Sequence, residues 1–405
     1  ESVPVRSAQH TESLHDLMAK SRAHRPPGSR LHAALVVEQT LGHVTYGQNL
    51  QAVLAGHPLI DPTFILVPYD MPKWAARVPG YSNWTVRSGL RARRAVRAQW
   101  RHSGIDVMFV HTHVPALLLG RWMRRIPTVL SLDATSEQFD RLGVHYSHDR
   151  SNFLVERYKK RAAKWCFERA RHIVVWSQWV SDSLASDYGL DPANITVVGP
   201  GVNIELWERN DAGSHDAGLD DAGLDDSVLR VLFVGGDLHR KGAPALMEAA
   251  RRLRTDASVP PFEVHLVTTG RVDPEPGVIV HDDMKPNSPE LRALYHSSHV
   301  FCLPTLGDCL PMVLCEAGVV GLAVISTDVG AIREIVVHER TGLLVEPGDV
   351  DALEMALRRV LTEPELRERL GSAAQELVRS RFDARANAMR LGEILVEAAS
   401  RGAST

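Results

Sequence analysis

Short apolar runs alternate with longer amphipathic stretches along most of the chain. The apolar runs are rich in β-branched residues, which favours strands buried on both faces of a parallel sheet. In the first half they are Leu31–Val37, Phe64–Val67, Val107–Val110, Thr128–Leu132, His172–Val175 and Ile195–Val198. In the second half they are Leu229–Val234, Glu263–Val267, Val278–Val280, His299–Leu303, Leu322–Ile325 and Gly342–Val345.

Helix-forming segments separate these runs and complete an α/β pattern. The segments are 46–55, 86–102, 115–124, 151–170, 178–188, 244–254, 289–297, 311–320, 330–337 and 349–361. The alternation predicts two doubly wound, Rossmann-like domains, each built on a parallel sheet. Open sheets of this kind bind ligands at the carboxyl ends of their strands, so we expect the site in a cleft between two facing domains.

Composition changes divide the chain further. Residues 1–29 end in a Pro- and Gly-containing stretch and are predicted to be a flexible leader, before a first domain over 30–200. The second domain covers 201–383 and carries an acidic, Gly-rich insertion at 210–227, whose aspartates lack the spacing of a calcium loop. A helical stretch at 384–399, within the C-terminal segment 384–405, is free to cross back to the first domain.

The overall composition is that of an ordinary globular protein. The chain has 405 residues, too many for one hydrophobic core, with 44% hydrophobic and 23% charged residues. Its four cysteines form no CxxC pair and have no nearby histidine at zinc-ligand spacing. No apolar run is long enough to span a bilayer. These features predict a cytoplasmic protein without disulfides.

The net charge of −3 conceals an asymmetry between the halves. Residues 1–200 contain 25 basic and 16 acidic side chains, which leaves 21 basic and 33 acidic side chains for the remainder. Basic–aromatic clusters, such as the six arginines of 86–101 around Trp100, would suit the anionic inner face of a membrane. Ordinary solvated helices are the alternative. Nucleic acid is not expected as a partner, because no recognition motif is present.

The segment 304–318 holds the most informative chemistry. An apolar run leads into a loop with Asp308, and Pro311 stands where a helix would start. The first N–H groups of such a helix lack intrahelical acceptors and form an anion site; they belong to Met312, Val313 and Leu314. Glu316 suits the hydroxyls of a ribose and Asp308 those of a second polyol, which outlines a nucleotide sugar. The alternative is an ordinary helix start.

A second segment carries complementary charge. The run Leu229–Val234 precedes a glycine-rich turn that contains Arg240 and Lys241 and leads into a helix. Glycines allow close backbone approach, and two cations would stabilise a departing diphosphate. The spacing is not that of a Walker loop, and no GxGxxG follows the first strand of either domain, which disfavours a dinucleotide oxidoreductase.

Four motifs, taken in order, resemble glycosyltransferase family four. They are the turn ending in Arg240-Lys241-Gly242, the Asp308–Glu316 segment, Val324–Gly330 and Thr341–Val345. The resemblance spans about 228–380 closely, and the first domain more loosely through His111-Thr112-His113 and Pro127–Thr135. It implies the GT-B fold, a sugar-nucleotide donor and retention of anomeric configuration.

The resemblance also implies roles for single residues of the second domain. Lys241 corresponds to the diphosphate-binding lysine of the family. The arginine usual a few residues earlier falls on Gly236, and the adjacent Arg240 is a candidate substitute. The acidic pair of the family falls on Asp308 and Glu316, so that Glu316 would bind the ribose and Asp308 the donor sugar.

In the first domain the resemblance is less complete. The histidine that many members place after the fourth strand falls on Asp133, which is expected to bind a donor-sugar hydroxyl or to stabilise oxocarbenium charge. Gly42 resembles part of a turn against the donor phosphates. His113 is a candidate for acceptor contact or a structural hydrogen bonder. Asp349-Val350-Asp351 looks like a metal motif, but N-capping explains it, so neither metal nor cofactor is expected.

These observations predict a retaining glycosyltransferase that uses a UDP- or GDP-hexose. The acceptor would be a small molecule, a glycan or a lipid-linked hydroxyl, bound mainly to the first domain. The altered residues Asp133, Gly236 and Asp308 leave a second hypothesis open, a sugar-nucleotide-binding protein without turnover.

Overall fold

The computed structural model describes residues 29–40, 42–71, 81–143, 153–208 and 228–401. The predicted leader up to residue 28 and the acidic insertion 210–227 lie outside these residues.

The first domain is built on a six-stranded parallel sheet. Its strands are β1 (Leu31–Gln39), β2 (Ile60–Pro68), β3 (Val107–His111), β4 (Thr128–Leu132), β5 (His172–Val175) and β6 (Ile195–Val197). They lie in the order β2-β1-β3-β4-β5-β6. Each predicted apolar run of this half overlaps one of them, although β1, β2 and β3 extend beyond their runs, and β3 and β4 are buried throughout.

Helices cover both faces of this sheet. They are α1 (His43–Leu54), α2 (Trp84–Ser103), α3 (His113–Ala116), α4 (Gly120–Met123), α5 (Ser136–Leu142), α6 (Phe153–Phe167) and α7 (Gln178–Tyr188). The short helix that follows β6, α8 (Ile204–Trp207), packs instead on the second domain, where the Trp207 ring contacts Tyr295. The single helix predicted over 115–124 is two short ones. Gly120 lies so close to the Trp165 ring that a β-carbon there would be 1.7 Å from it, so the tryptophan fixes the chain at the break.

The second domain repeats the architecture. Its sheet contains β7 (Leu229–Val234), β8 (Phe262–Val267), β9 (Val278–His281), β10 (Val300–Leu303), β11 (Ala323–Thr327) and β12 (Leu343–Val345). The order β12-β11-β10-β7-β8-β9 is that of a doubly wound dinucleotide-type fold, with β7 and β10 at the switch point. The predicted fold class is confirmed: α/β, with two parallel, doubly wound sheets.

The helices of the second half differ from the prediction in two places. They are α9 (Ala243–Leu253), α10 (Pro289–Ser297), α11 (Met312–Val319), α12 (Val350–Thr362), α13 (Pro364–Arg381) and α14 (Ala384–Arg401). The helix predicted over 330–337 is wrong, because only a 3-10 turn at Ile332–Glu334 forms after Gly330, whose φ is +56°. Helix α13 was not predicted.

The chain passes between the two domains twice. Val202, after β6, forms an isolated parallel bridge with Asp383, and an added β-carbon on Gly201 would lie 2.5 Å from the backbone of Ala384. Beyond this crossing, α14 packs on α1 of the first domain, with Gly392 against the His57 ring. Within the described residues, none of the helices combines the length and the apolar character that a membrane span requires.

Candidate active site

The turn after β7 and the loop after β10 are locked together at the carboxyl edge of the second sheet. Gly242 has φ +83°, and a β-carbon there would lie 1.9 Å from the carbonyl oxygen of Pro304. The Leu306 N–H donates to the carbonyl of Arg240 over 2.7 Å, and the Thr305 hydroxyl donates to the same oxygen over 3.0 Å. Because β7 and β10 are neighbours in the sheet, the two motifs predicted from the sequence lie side by side at the same edge.

Lys241 and Asp308 are paired across this junction. The Lys241 ammonium donates to Oδ2 of Asp308, and the two side chains are only 14% and 12% exposed. The Arg240 guanidinium donates to the carbonyl of Gly307 over 2.8 Å and lies 3.7 Å from Asp308 and 3.3 Å from Asp237. Arg240 therefore supports the loop that carries Asp308, and its role as a diphosphate ligand stays a prediction.

The loop with Asp308 is also supported from the strand on its other side. Gly330 follows β11 at φ +56°, and a β-carbon there would lie 2.1 Å from the carbonyl oxygen of Asp308. The N–H of Ala331 donates to the carbonyl of Cys309 over 2.8 Å. Backbone contacts from both neighbouring strands thus hold Asp308 in place.

Helix α11 begins directly after this loop, with Pro311 as its N-cap at φ −72°. The prediction of three donors is wrong for Leu314, because its N–H donates to the carbonyl of Pro311 over 3.1 Å in a tight first turn. The N–H groups of Met312 and Val313 remain without an intrahelical acceptor. The anion site predicted at the start of this helix therefore has two backbone donors, not three.

Glu316 lies one turn into α11 and has a partner that the sequence did not indicate. The hydroxyl of Tyr295 donates to Oε2 of Glu316 over 3.0 Å. Burial raises the pKa of Glu316 to about 7, although the Tyr295 hydrogen bond opposes that shift. Oε1 is left to accept from a ligand. Tyr295 itself is fully buried, with its ring stacked on Phe301.

Gly236 lies at an open position of the β7 turn. The nearest atom to an added β-carbon would be Oγ1 of Thr269, at 3.9 Å. A β-carbon would therefore fit here without a clash, so close packing does not demand a glycine at this position.

At the carboxyl edge of the first sheet the structure assembles a polar cluster around Asp133. Nε2 of His43 lies 3.1 Å from Oδ2 of Asp133, and Nδ1 of His43 lies 3.2 Å from the carboxylate of Glu38. Gly42 immediately precedes His43 as the N-cap of α1, and nothing lies within 4 Å of an added β-carbon there. Glu38 was not singled out from the sequence, and His43 was named only as part of the 41–43 turn that resembles the phosphate-side turn of the family. The signal for Glu38 was a carboxylate near the end of the apolar strand β1.

His113 lies beside this cluster as the first residue of α3. Its Nε2 is 3.0 Å from the hydroxyl of Ser136, and burial lowers its pKa to about 4. A neutral, hydrogen-bonded imidazole fits the structural alternative, and acceptor contact by His113 stays a prediction. The preceding residue, Thr112, has φ +67° and turns the chain out of β3.

Glu334 joins the carboxyl edges of the two sheets. The backbone N–H groups of Gln178 and Trp179, at the start of α7, donate to the carboxylate of Glu334 over 3.0 and 2.9 Å. Gln178 follows β5 closely and Glu334 follows β11, so the two edges face one another. We infer from these facing edges that Asp133 lies on one side of the cleft expected between the domains, and that Lys241, Asp308 and Glu316 lie on the other.

Two family profiles match the two halves of the chain. Residues 61–206 match Glycosyltransferase Family 4, and residues 229–363 match Glycosyl transferases group 1. The first match falls almost wholly in the first domain and the second match in the second domain.

Individual proteins and solved structures are also similar to this chain. The glycogen synthase of Mycobacterium tuberculosis is 24% identical over 357 residues, which is 84% of this chain and 79% of that protein. A sucrose-phosphate synthase from Thermosynechococcus elongatus superposes with a TM-score of 0.68 and 19% identity, over 91% of this chain and 99% of that one. Anabaena HepE in complex with UDP and glucose gives 0.63 and 15%, over 91% and 100%. These structural likenesses confirm the GT-B fold.

Proposed function

Since the chain belongs to glycosyltransferase family four, we propose that it transfers a hexose from a UDP or GDP donor to a hydroxyl acceptor with retention of configuration. Glycosyltransferase activity follows from the family. The donor, the acceptor and the stereochemistry are the proposed part. The similar solved structures include Anabaena HepE in complex with UDP and with UDP-glucose, which supports a nucleotide-sugar donor.

The observation that carries the proposal is the convergence of unlike groups at one sheet edge. A cation, Lys241, two helix-terminal N–H groups at Met312 and Val313, and two carboxylates, Asp308 and Glu316, lie on loops that interlock. Cations and helix N-termini suit a diphosphate, whereas carboxylates suit sugar hydroxyls. A nucleotide sugar is the ligand that needs both.

Lys241 would exchange partners when the donor binds. Its ammonium is held by Asp308, so the diphosphate competes with a carboxylate for it. As the glycosidic bond breaks, negative charge grows on the leaving oxygen, and Lys241 together with the start of α11 stabilises it. The leaving diphosphate is the proposed acceptor of the proton from the attacking hydroxyl, which delivers that hydroxyl to the same face of the sugar.

The remaining site residues bind and orient. Oε1 of Glu316 would accept from a ribose hydroxyl, while Tyr295 keeps Oε2 occupied. Asp133, on the opposite wall, would accept from a donor-sugar hydroxyl and favour positive charge at the anomeric carbon. Gly42, where nothing lies within 4 Å of an added β-carbon, would let the donor phosphates approach the first turn of α1.

A thermal-shift screen of UDP- and GDP-sugars, followed by a donor-hydrolysis assay without acceptor, tests this proposal. A ligand that binds only the folded state raises its melting temperature. We expect a shift with at least one nucleotide sugar, and slow hydrolysis that falls at least 100-fold in Lys241→Ala. Glu316→Ala should weaken donor binding about tenfold or more.

Lys159→Ala is the matched control, because it removes one lysine that pairs with Glu156 on α6, away from the cleft. It should leave both readouts unchanged. Tight donor binding with neither hydrolysis nor transfer to any acceptor would favour the alternative, a binding protein without turnover. Strict dependence on Mg²⁺, with loss of activity in EDTA, would contradict the proposed metal independence.

We further propose that the first domain contacts an anionic membrane. Leu154, Arg157, Tyr158 and Arg161 share one face of α6, and Leu154 and Tyr158 are each 73% exposed. A face that combines apolar and basic side chains gains about 1 kcal/mol per basic residue near anionic lipid. This surface would place the protein peripherally, beside a lipid-linked acceptor.

Sedimentation with vesicles tests the membrane contact. We expect binding to vesicles containing phosphatidylserine, weak binding to pure phosphatidylcholine, and loss of binding in Tyr158→Glu. Met355→Glu, a change at an exposed position of the second domain, is the control. Equal sedimentation with both lipids would contradict the electrostatic contact.

A further inference from the structure

A cluster of polar and aromatic side chains lies at the carboxyl edge of the first sheet. Four strands contribute to it: Glu38 from β1, His111 from β3, Asp133 after β4 and Trp176 after β5. His43 from α1 lies at the centre, 4.5 Å from the His111 ring and 5.6 Å from the Trp176 ring, edge-on to both. The aromatic neighbours leave the imidazole little freedom to rotate.

Both ring nitrogens of His43 face carboxylates. Nε2 is 3.1 Å from Asp133, and Nδ1 is 3.2 Å from Glu38 and 3.0 Å from the hydroxyl of Thr40. A carboxylate only accepts hydrogen bonds, and an imidazole donates from both nitrogens only when it is protonated. The geometry therefore fits an imidazolium between two carboxylates.

The electrostatics agree with that geometry. Burial lowers the pKa of His43, but Asp133 and Glu38 outweigh it and raise the pKa to about 10. Burial raises the pKa of Asp133, and the charge and hydrogen bond of His43 bring it down to about 2. The other titratable groups that face the pair carry no charge near neutral pH, since burial lowers the pKa of the two histidines and raises that of the tyrosine; they are His111, His113 and Tyr46.

The three groups are graded from the interior to the cleft. The side chain of Glu38 is 6% exposed, that of His43 11% and that of Asp133 23%. Asp133 is thus the outermost member. Its Oδ2 faces His43, and its greater exposure makes it the member of the cluster most accessible to a ligand.

We propose that His43 is a positioning residue that fixes Asp133 as an ionised carboxylate available to the donor sugar. This inference rests on the proposed function of the cleft. Asp133 then acts as a hydrogen-bond acceptor and a fixed negative charge beside the anomeric carbon, and it does not transfer a proton. Glu38, behind the imidazole, keeps His43 charged when the cleft closes.

The protonation state of His43 can be measured without any substrate. Imidazole ¹⁵N NMR of the full-length protein, with His43 assigned by its loss in His43→Gln, should show both nitrogens protonated up to about pH 9. A neutral His43 at pH 8 would overturn the proposal, whatever the enzyme does with donors.

Kinetics then test whether His43 acts through Asp133. At saturating donor, His43→Gln should lower kcat at least tenfold, change KM less than threefold, and move the acid limb of the kcat profile up by at least one pH unit. The limb moves because a carboxylate that loses its counter-ion gains a higher pKa. The double variant with Asp133→Asn should be no slower than Asp133→Asn alone.

His172→Gln is the control, since Nε2 of His172 lies 2.8 Å from the Thr196 hydroxyl but His172 begins β5, at the edge of the sheet opposite the cluster. It should not shift the pH profile. If His43→Gln does not fold, Glu38→Gln should lower the pKa of His43 in the same NMR titration. The positioning role would be overturned if the kcat losses of the two single variants multiplied in the double variant. It would also be overturned if the acid limb of the kcat profile did not move in His43→Gln. A charged His43 in a protein that handles no nucleotide sugar would instead contradict the proposed function.

Discussion

Among single residues, Glu316 is the clearest conflict between stability and function. It is a carboxylate at a partly buried position, and its pKa of about 7 means that the fold favours its protonated form. A raised pKa of this kind stabilises the folded protein below the ordinary value of 4.5, and the stabilisation is lost as the pH rises through 7. Ligand binding, in contrast, needs the ionised form as an acceptor.

We therefore expect Glu316→Gln to be more stable than the wild type at pH 8 and equally stable at pH 4. The gain should be on the order of 1–3 kcal/mol, because each pKa unit corresponds to about 1.4 kcal/mol. Denaturant unfolding at both pH values measures it. Glu393→Gln, at an exposed position of α14, should show no such difference, and equal stability of Glu316→Gln and wild type at pH 8 would refute the expectation.

Asp308 offers a second test at this scale, because its carboxylate is paired with Lys241, the cation proposed to bind the diphosphate. Asp308→Asn removes the competing charge beside Lys241. We expect a nucleoside diphosphate to bind at least threefold more tightly to this variant by calorimetry, while sugar transfer falls. Weaker diphosphate binding would show that the carboxylate helps to assemble the site rather than competing for Lys241.

At the scale of elements, the site depends on loops that three neighbouring strands hold together. The loop after β10 carries Asp308, and the chain after β11 supports it through Gly330. Sequence patterns predicted the strands well because burial imposes a periodicity. They predicted the segment after β11 wrongly as a helix, because the backbone there follows its contact with Asp308 rather than local propensity.

Gly330→Ala tests this support. Its β-carbon would overlap the carbonyl of Asp308 and would also occupy a positive φ, so we expect a loss of activity of at least 30-fold together with a lower melting temperature. Gly348→Ala is the control, since φ is +82° but the nearest atom lies at 3.9 Å. That variant should lose about 1 kcal/mol of stability and keep its activity. Equal activity losses in both would argue against a specific support.

For the whole molecule, the relation of the two domains depends on the double crossing and on Glu334. The carboxylate of Glu334 accepts two N–H groups from the start of α7, where the helix dipole favours negative charge. Arg381, just before the crossing, lies 3.7 Å from the same carboxylate. The contact thus links the cleft to the crossing.

Glu334→Ala should shift the protein toward a more open form. Loss of two charge-assisted hydrogen bonds is worth on the order of 2–3 kcal/mol, enough to change an open-to-closed ratio more than tenfold. Small-angle X-ray scattering of the unliganded protein should show a larger radius of gyration. Glu339→Ala, which removes a carboxylate paired with Arg359 inside the second domain, is the control. An unchanged radius would assign the domain arrangement to the crossing alone.

The sequence by itself determined the order of elements along the chain: two α/β halves, a glycine-rich cationic turn, and an acidic loop before a helix start. These are local properties, set by periodicity and by the chemistry of neighbouring residues. The tertiary structure decided which groups meet. Lys241 and Asp308 are 67 positions apart and His43 and Asp133 are 90 apart, so their contacts depend on which strands are neighbours in the sheet. No short pattern encodes that adjacency, because parallel strands are joined through helices that separate contacting residues by tens of positions.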